Sequence, residues 1–310
     1  MFRAFTSGLR LAAASPKLLG VLWLLLLLAA LPFGLAMQQE IEEGIGASQV
    51  EQDLRGRMDK VWLGEFHESS PGLGGTLQPE RASRVDFLHN LDLLFGGRLF
   101  EQHRGLVAGG VGYALCWVLL LGGLIDRYAR GGGRFVFSQF LAAGGRYFLR
   151  LFKLTLIAAP LYWGLFLVAK WGYGRIGDAV RDVTVEKTVL GYYLAAAIPL
   201  LLTVAVVMAV IDYARVAAVL EEEPGVLRAL LRGFRFVVRQ PVTVLGLALL
   251  VTLCSLGLIA LRTLVTPSAG DGTALGIVGL FLLGQVFVVG RIILRLTLVA
   301  GEMSLYRRLR

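Results

Sequence analysis

Three histidines and two cysteines are the residues of this 310-residue chain best suited to metal binding or nucleophilic chemistry. Their spacing supports neither. His67, His89 and His103 are more than a dozen residues apart, and although Glu65 and Glu68 stand near His67, no metal-ligand signature follows. They read as surface histidines. Cys116 and Cys254 form no CxxC pair and stand inside apolar runs, where they read as small buried apolar residues. No Ser/His/Asp order or paired-carboxylate motif is present. Gly131-Gly132-Gly133 lacks the Lys-Ser/Thr of a phosphate loop and reads as a turn. The expectation is a chain without catalytic residues, bound metal or cofactor.

Arginine is the charged residue with regular spacing. Arg228, Arg232, Arg235 and Arg239 fall at offsets of four, seven and eleven, one face of a helix. Val226, Leu227, Leu230, Phe234 and Val237 are expected on the opposite face. Glu221 to Glu223 and Pro224 precede this helix, acids at the positive end of its dipole and proline in its first turn. A basic face beside a Phe/Leu/Val face describes a helix lying in a membrane interface. Arg146 and Arg150 occupy a similar stretch near 136–152, with Phe137, Phe140, Leu141, Gly144, Phe148 and Leu151 as its apolar face. These six arginines are the candidate lipid-surface residues, and the chemistry they offer is binding of anionic headgroups.

The elements around them are apolar. Hydrophobic residues make up 56% of the chain, charged residues 17%, and the mean hydropathy is +0.69, too apolar for a soluble domain. Six apolar stretches run from about 18–36, 106–125, 154–168, 190–211, 242–261 and 274–294. A span takes about 20 apolar residues, so the third stretch is short and needs its neighbours. The fold class expected is an all-α polytopic membrane bundle with six transmembrane helices. Helices near 136–152 and 224–240 should lie on the cytoplasmic side. The chain then divides into 1–36, a basic segment and first span; 37–105, an extracytoplasmic loop; and 106–310, five further spans. Arg3, Arg10 and Lys17 before the first apolar run also fit a signal peptide, but that run is long for one, and a retained span is expected.

The net charge of +9 is distributed as topology requires. With the N-terminus inside, the inner segments hold 19 Lys/Arg against 6 Asp/Glu, and the outer ones 12 against 16. That is the positive-inside pattern, with both termini cytoplasmic. It also attracts anionic lipid, and no nucleic-acid motif accompanies it.

In 37–105, Val50, Leu54, Met58, Val61, Trp62 and Phe66 recur at helical spacing. Residues 69–75 form a loop, and a second apolar pattern runs through Val85, Leu88, Leu91 and Leu94. Two short helices covering the outer mouth of the bundle are expected, with Trp62 and Phe66 at the interface.

The chain also repeats. Ile125-Asp126-Arg127-Tyr128-Ala129-Arg130 answers Ile211-Asp212-Tyr213-Ala214-Arg215, with one residue inserted. Gly145-Arg146-Tyr147-Phe148-Leu149-Arg150 answers Phe234-Arg235-Phe236-Val237-Val238-Arg239, and Gly8-Leu9-Arg10-Leu11 answers Gly233-Phe234-Arg235-Phe236. Glu302, Tyr306 and Arg307 match the exit loosely. Three hairpin-like repeats follow, each a surface helix, a span out and a span back. Asp126 and Asp212 are expected to pair with Arg130 and Arg215 at i+4 and i+3. Gly105 and Gly109 offer a small-residue packing face.

Gln285 and Arg291 form a possible intramembrane polar site. If the sixth span ends near Leu294, Arg291 and Arg295 both reach the inner surface. If it ends near Glu302, Arg291 lies well inside the bilayer, where a charge implies a partner or a water-filled path.

The surface-helix-plus-span repeat and the loop carrying Trp62-Leu63-Gly64-Glu65-Phe66 resemble bacterial inner-membrane proteins of unassigned function. More loosely, they are similar to the membrane domains that accompany glycerophosphodiester phosphodiesterases. The resemblance implies a bacterial inner-membrane setting and carries no catalytic residues. The function expected is a non-enzymatic scaffold or accessory subunit binding membrane lipids and other membrane proteins. The alternative is a transporter or channel component with a path near Gln285 and Arg291.

Overall fold

A computed structural model describes residues 1–46, 62, 64–66, 104–131, 133–181, 183, 185–222, 225–265 and 274–309. Among them the long elements are all α-helices: α1 (Phe2–Ala13), α2 (Pro16–Gly46), α3 (Arg104–Ala129), α4 (Phe137–Ala179), α5 (Glu186–Leu220), α6 (Val226–Arg239), α7 (Pro241–Val265) and α8 (Ala274–Leu309). Six of them, α2 to α5, α7 and α8, are long and apolar enough to cross a membrane. The protein is a multi-pass integral membrane protein.

The two shortest helices, α1 and α6, stop at proline. Pro16 and Pro241 open the spans that follow, where the missing N–H of a first turn costs nothing; within the spans, α2, α4 and α5 continue through Pro32, Pro160 and Pro199. No proline stands at the matching place in α4. The helix expected near 136–152 and the short third span are therefore one unbroken helix of 43 residues. At about 1.5 Å per residue it is about 65 Å long, twice the roughly 30 Å of a hydrocarbon core. Its first third extends beyond the span.

Other boundaries also move. The helix that opens with the first span runs on past residue 36 to Gly46. Gln38 donates to Glu42 at 2.8 Å and Gln39 to Glu43 at 3.1 Å, polar pairs one turn apart that extend it. Asp126 and Asp212 lie inside α3 and α5 rather than after them. Trp62 and Phe66 are buried and stack 5.1 Å apart, with Phe66 against Gly44. The histidines and the other helices expected in 37–105 lie outside the described residues. Cys116 is exposed and Cys254 half-exposed, so neither is the buried packing residue expected. Both sit on span surfaces that apolar solvent can cover.

Three glycines fix how the short helices sit. A Cβ on Gly8 of α1 would lie 2.5 Å from the carbonyl oxygen of Thr297 on α8. On Gly144 of α4 it would lie 2.6 Å from that of Leu119 on α3, and on Gly233 of α6, 2.5 Å from that of Val210 on α5. Only hydrogen fits at these crossings. Four residues beyond each seat stands another small residue: Gly301, Gly123 or Ala214. Gly301 meets α1, and Ala214 meets α6. A Cβ on Gly123 would lie 2.6 Å from the Phe140 carbonyl of α4. So α1, α6 and the start of α4 each dock on the end of a span that runs toward the same side.

This docked end holds the core. Leu124, Ile125, Ile211, Ala214 and Leu296 are nearly or fully inaccessible. The opposite halves of the spans are exposed, as at Leu194, Ile198 and Leu202 of α5.

Gly233→Ala should destabilise the protein by about 1–3 kcal/mol, the usual cost of forcing an extra carbon into a packed contact. Gly145→Ala, with open space around its Cβ, should leave the unfolding midpoint in detergent unchanged or raised, since alanine favours helix by about 1 kcal/mol. Equal midpoints for both variants would contradict the close crossing.

Candidate functional site: a polar seam at the docked end

The three spans that carry docking seats, α3, α5 and α8, touch one another pairwise. Polar side chains collect between them and their neighbours. Arg215 donates to Asp212 at 2.8 Å and to the Thr155 hydroxyl of α4 at 3.2 Å. Arg130 pairs with Asp126 on the exposed side of α3. Both aspartates thus have the local arginine expected from sequence. Their equivalence does not hold. Asp212 is two residues beyond the Val210 seat and Asp126 seven beyond the Leu119 seat. The matching letters sit more than one turn apart in the packing.

Two further carboxylates belong to the seam. Glu302 of α8 is 7% exposed, makes no hydrogen bond with a described residue, and lies within electrostatic reach of Asp212 and Arg215. Glu221, at the end of α5, accepts a hydrogen bond from the Tyr306 hydroxyl at 2.6 Å and pairs with Arg232 of α6. It therefore ties three helices together, in place of the dipole role expected for it. Rings reinforce the tie: Tyr213 of α5, Phe236 of α6 and Tyr306 of α8 pack with centroids 4.7 and 4.9 Å apart along the chain of contacts. The Tyr213 hydroxyl is buried without a hydrogen-bond partner among the described residues, as is that of Tyr128. Arg127 donates to Ser15 at the α1–α2 corner at 2.8 Å and lies over the Phe135 ring.

The arginines of α6 sort by exposure. Arg228, Arg235 and Arg239 are exposed, and Arg232 is half-buried beside Glu221. The apolar residues do not form one opposite face. Ala229, Gly233, Phe236 and Val237 dock on the spans. Leu227, Leu231, Phe234 and Val238 form a separate exposed stripe, with Leu227 73% and Phe234 51% accessible. That stripe runs one residue ahead of the arginines, so the helix has three faces. In α4, Arg146 is exposed, while Arg150 is partly buried over the Tyr147 ring. The exposed apolar Phe137, Leu141 and Leu149 flank them.

Gln285 and Arg291 are not brought together. Gln285 accepts a hydrogen bond from the Trp23 indole of α2 at 2.8 Å, whereas Arg291 stays exposed. Arg295, which the sequence did not single out as a site, is the arginine that α3 engages. It donates to the Tyr113 hydroxyl at 2.7 Å and lies 3.4 Å over the Trp117 ring. Tyr113 and Trp117 are one turn apart, as are Arg291 and Arg295. That matched four-residue spacing was the only sign of the contact in the sequence. A groove of about 310 Å³ opens beside the seam between Ser7, Leu11, Tyr128, Met303, Ser304 and Arg307.

The geometry can hold charge and present arginine, but no nucleophile, base and acceptor site converge among the described residues. Comparison with protein-family models, with curated proteins and with solved structures finds no match. The class defined by the fold is a multi-pass helical membrane protein.

Removing the Glu221 carboxylate should cost stability. Glu221→Ala leaves the buried Tyr306 hydroxyl without this acceptor and the half-exposed Arg232 without this carboxylate, an effect of about 1–3 kcal/mol. Glu221→Gln keeps an acceptor for Tyr306 and should cost less. Unfolding midpoints in detergent check the order, and a reversed order would refute the tie.

Proposed function

We propose that the protein is a non-catalytic component of the bacterial inner membrane that gathers anionic lipid on its cytoplasmic face and serves there as a scaffold or accessory subunit for other membrane proteins. The observation that carries this reading is the pair of parallel stripes on α6. Leu227, Leu231, Phe234 and Val238 are exposed, and one residue along run Arg228, Arg232, Arg235 and Arg239. A helix held on its third face to a membrane bundle has one environment that suits both stripes. The apolar stripe enters the acyl boundary and the arginines meet phosphates. Arg10 of α1 and Arg146 of α4 stand in the same place relative to their seated glycines, so three arginine-bearing helices ring one side of the bundle. The excess of Lys/Arg in the segments on that side supports its facing the cytoplasm. A transport path near Gln285 and Arg291 draws no support from the packing, because Trp23 occupies the Gln285 amide.

Two measurements test this. Lipids that co-purify with the intact protein should be enriched in phosphatidylglycerol over phosphatidylethanolamine relative to the source membrane. In Arg228→Gln/Arg235→Gln/Arg239→Gln the enrichment should fall several-fold, since each basic residue near an anionic surface contributes about 1 kcal/mol. Equal ratios in both proteins would end the lipid reading. For orientation, Arg228→Cys in a background with Cys116 and Cys254 replaced by serine should react with a membrane-impermeant maleimide only in opened cells. Labelling of intact cells would place the docked end outside.

A further inference from the structure

Arg291 and Arg295 leave the same face of α8, one turn apart. The helix is unbroken through both and continues to Leu309. Both lie on the apolar side of Thr297, where α1 docks. Arg295 is positioned by α3 through the Tyr113 hydroxyl and the Trp117 ring, yet it remains exposed. Arg291 is exposed too and makes no hydrogen bond or ion pair with a described residue. Asp212, the carboxylate in electrostatic reach of Arg295, already holds Arg215 at 2.8 Å. The face shared by α3 and α8 therefore presents two guanidinium groups, a phenol and an indole, with no carboxylate of its own.

A charge in an apolar span persists where something pairs with it. Two planar forks a turn apart suit the non-bridging oxygens of a phosphodiester. Tyrosine and tryptophan beside them are the rings found at headgroup depth. Continuing outward from Arg291 in steps of three and four, the same face of α8 carries Val288, Gly284, Phe281 and Ile277. Phe281 and Ile277 are exposed, a lane for acyl chain leading away from the charges. Building on the lipid reading above, we infer that Arg291, Arg295 and Tyr113 form a site for the phosphate of one anionic phospholipid, entered sideways from the inner leaflet between α3 and α8. Arg291 and Arg295 hold the phosphate oxygens. Tyr113 and Trp117 fix the Arg295 fork in place.

The intact protein, stripped of lipid in mild detergent, can be titrated in native mass spectrometry with dioleoylphosphatidylglycerol, dioleoylphosphatidylcholine or inorganic phosphate. One phosphatidylglycerol should bind at a concentration about tenfold lower than phosphatidylcholine, the scale of one charge-assisted contact. Arg291→Gln should erase that preference. The Arg291 side chain touches no described polar partner, so this variant keeps the fold. Arg295→Lys retains charge but not the fork or its stacking, and should weaken the step. Equal binding of the two lipids, or an unaltered preference in Arg291→Gln, would overturn the site. Displacement of the lipid by inorganic phosphate would assign the arginines to a soluble anion and overturn the lipid. The triple variant in α6 separates the two proposals. It should lose bulk enrichment and keep the single tight lipid. If wild-type bulk enrichment is absent while Arg291→Gln still loses the tight lipid, the interhelical site stands and the broader reading falls.

Discussion

The structure depends on three places where one backbone rests on another. At Gly8, Gly144 and Gly233 there is no room for a methyl group between a short helix and a span carbonyl. In hydrocarbon the hydrophobic effect does not press helices together, since a lipid tail is as good a neighbour as leucine. Close contact must come from shape, and the smallest side chain gives the closest approach. These crossings concentrate the packing at one end of the bundle. There Leu124, Ile211 and Leu296 disappear from solvent, while the opposite halves of the spans keep their leucines and isoleucines outward. The first and last helices take part on equal terms. Gly8 of α1 seats on α8 as Gly233 of α6 seats on α5, which closes the chain into a ring around α3, α5 and α8.

That closure brings charge into a confined space, and the arrangement answers it with local pairs. Asp212 and Arg215 are three residues apart on one helix, and Asp126 and Arg130 four. Such pairs need no partner outside their own helix. Longer-range ties, such as Glu221 to Tyr306 and Arg232, join helices that also meet at the glycine seats. Buried ion pairs contribute little net stability against an apolar alternative, but breaking one is costly. Their effect is to fix which helices meet. Arg295 follows a different pattern: its partners are a phenol and an indole, which orient a guanidinium without neutralising it.

Hydropathy made the spans legible, because a stretch near twenty apolar residues has few other fates. The alignment of Gly8 with Gly233 and of Gly145 with Phe234 put the seated glycines in register, but it read as a repeat; the small-residue packing face was expected at Gly105 and Gly109. The exit motif misled. Asp126-Arg127-Tyr128 and Asp212-Tyr213 share letters, but the seats at Leu119 and Val210 set a register in which they differ by five residues. Short local motifs do not know the level at which a neighbouring helix crosses. The join in α4 was hidden because a helix leaving a membrane surface looks the same as one entering a span when no proline separates them. The Tyr113–Arg295 contact joins residues 182 positions apart, and a matched four-residue spacing does not say that the two helices meet.

The three faces of α6 follow from the same constraint. A helix docked on a bundle by close backbone contact must place its smallest residues, Ala229 and Gly233, at the crossing, where backbone approach decides the fit. Large apolar residues placed there would hold the helices apart. Leu227, Leu231, Phe234 and Val238 are therefore displaced to a face of their own, and the arginines to the next. Viewed as a two-faced wheel, the sequence merges docking and exposed apolar positions, since hydropathy cannot tell a residue buried in protein from one offered to lipid. Backbone approach separates them: Ala229 and Gly233 mark the closest contact with the bundle, Phe236 and Val237 fill the space beside it, and Leu227, Leu231, Phe234 and Val238 stay exposed.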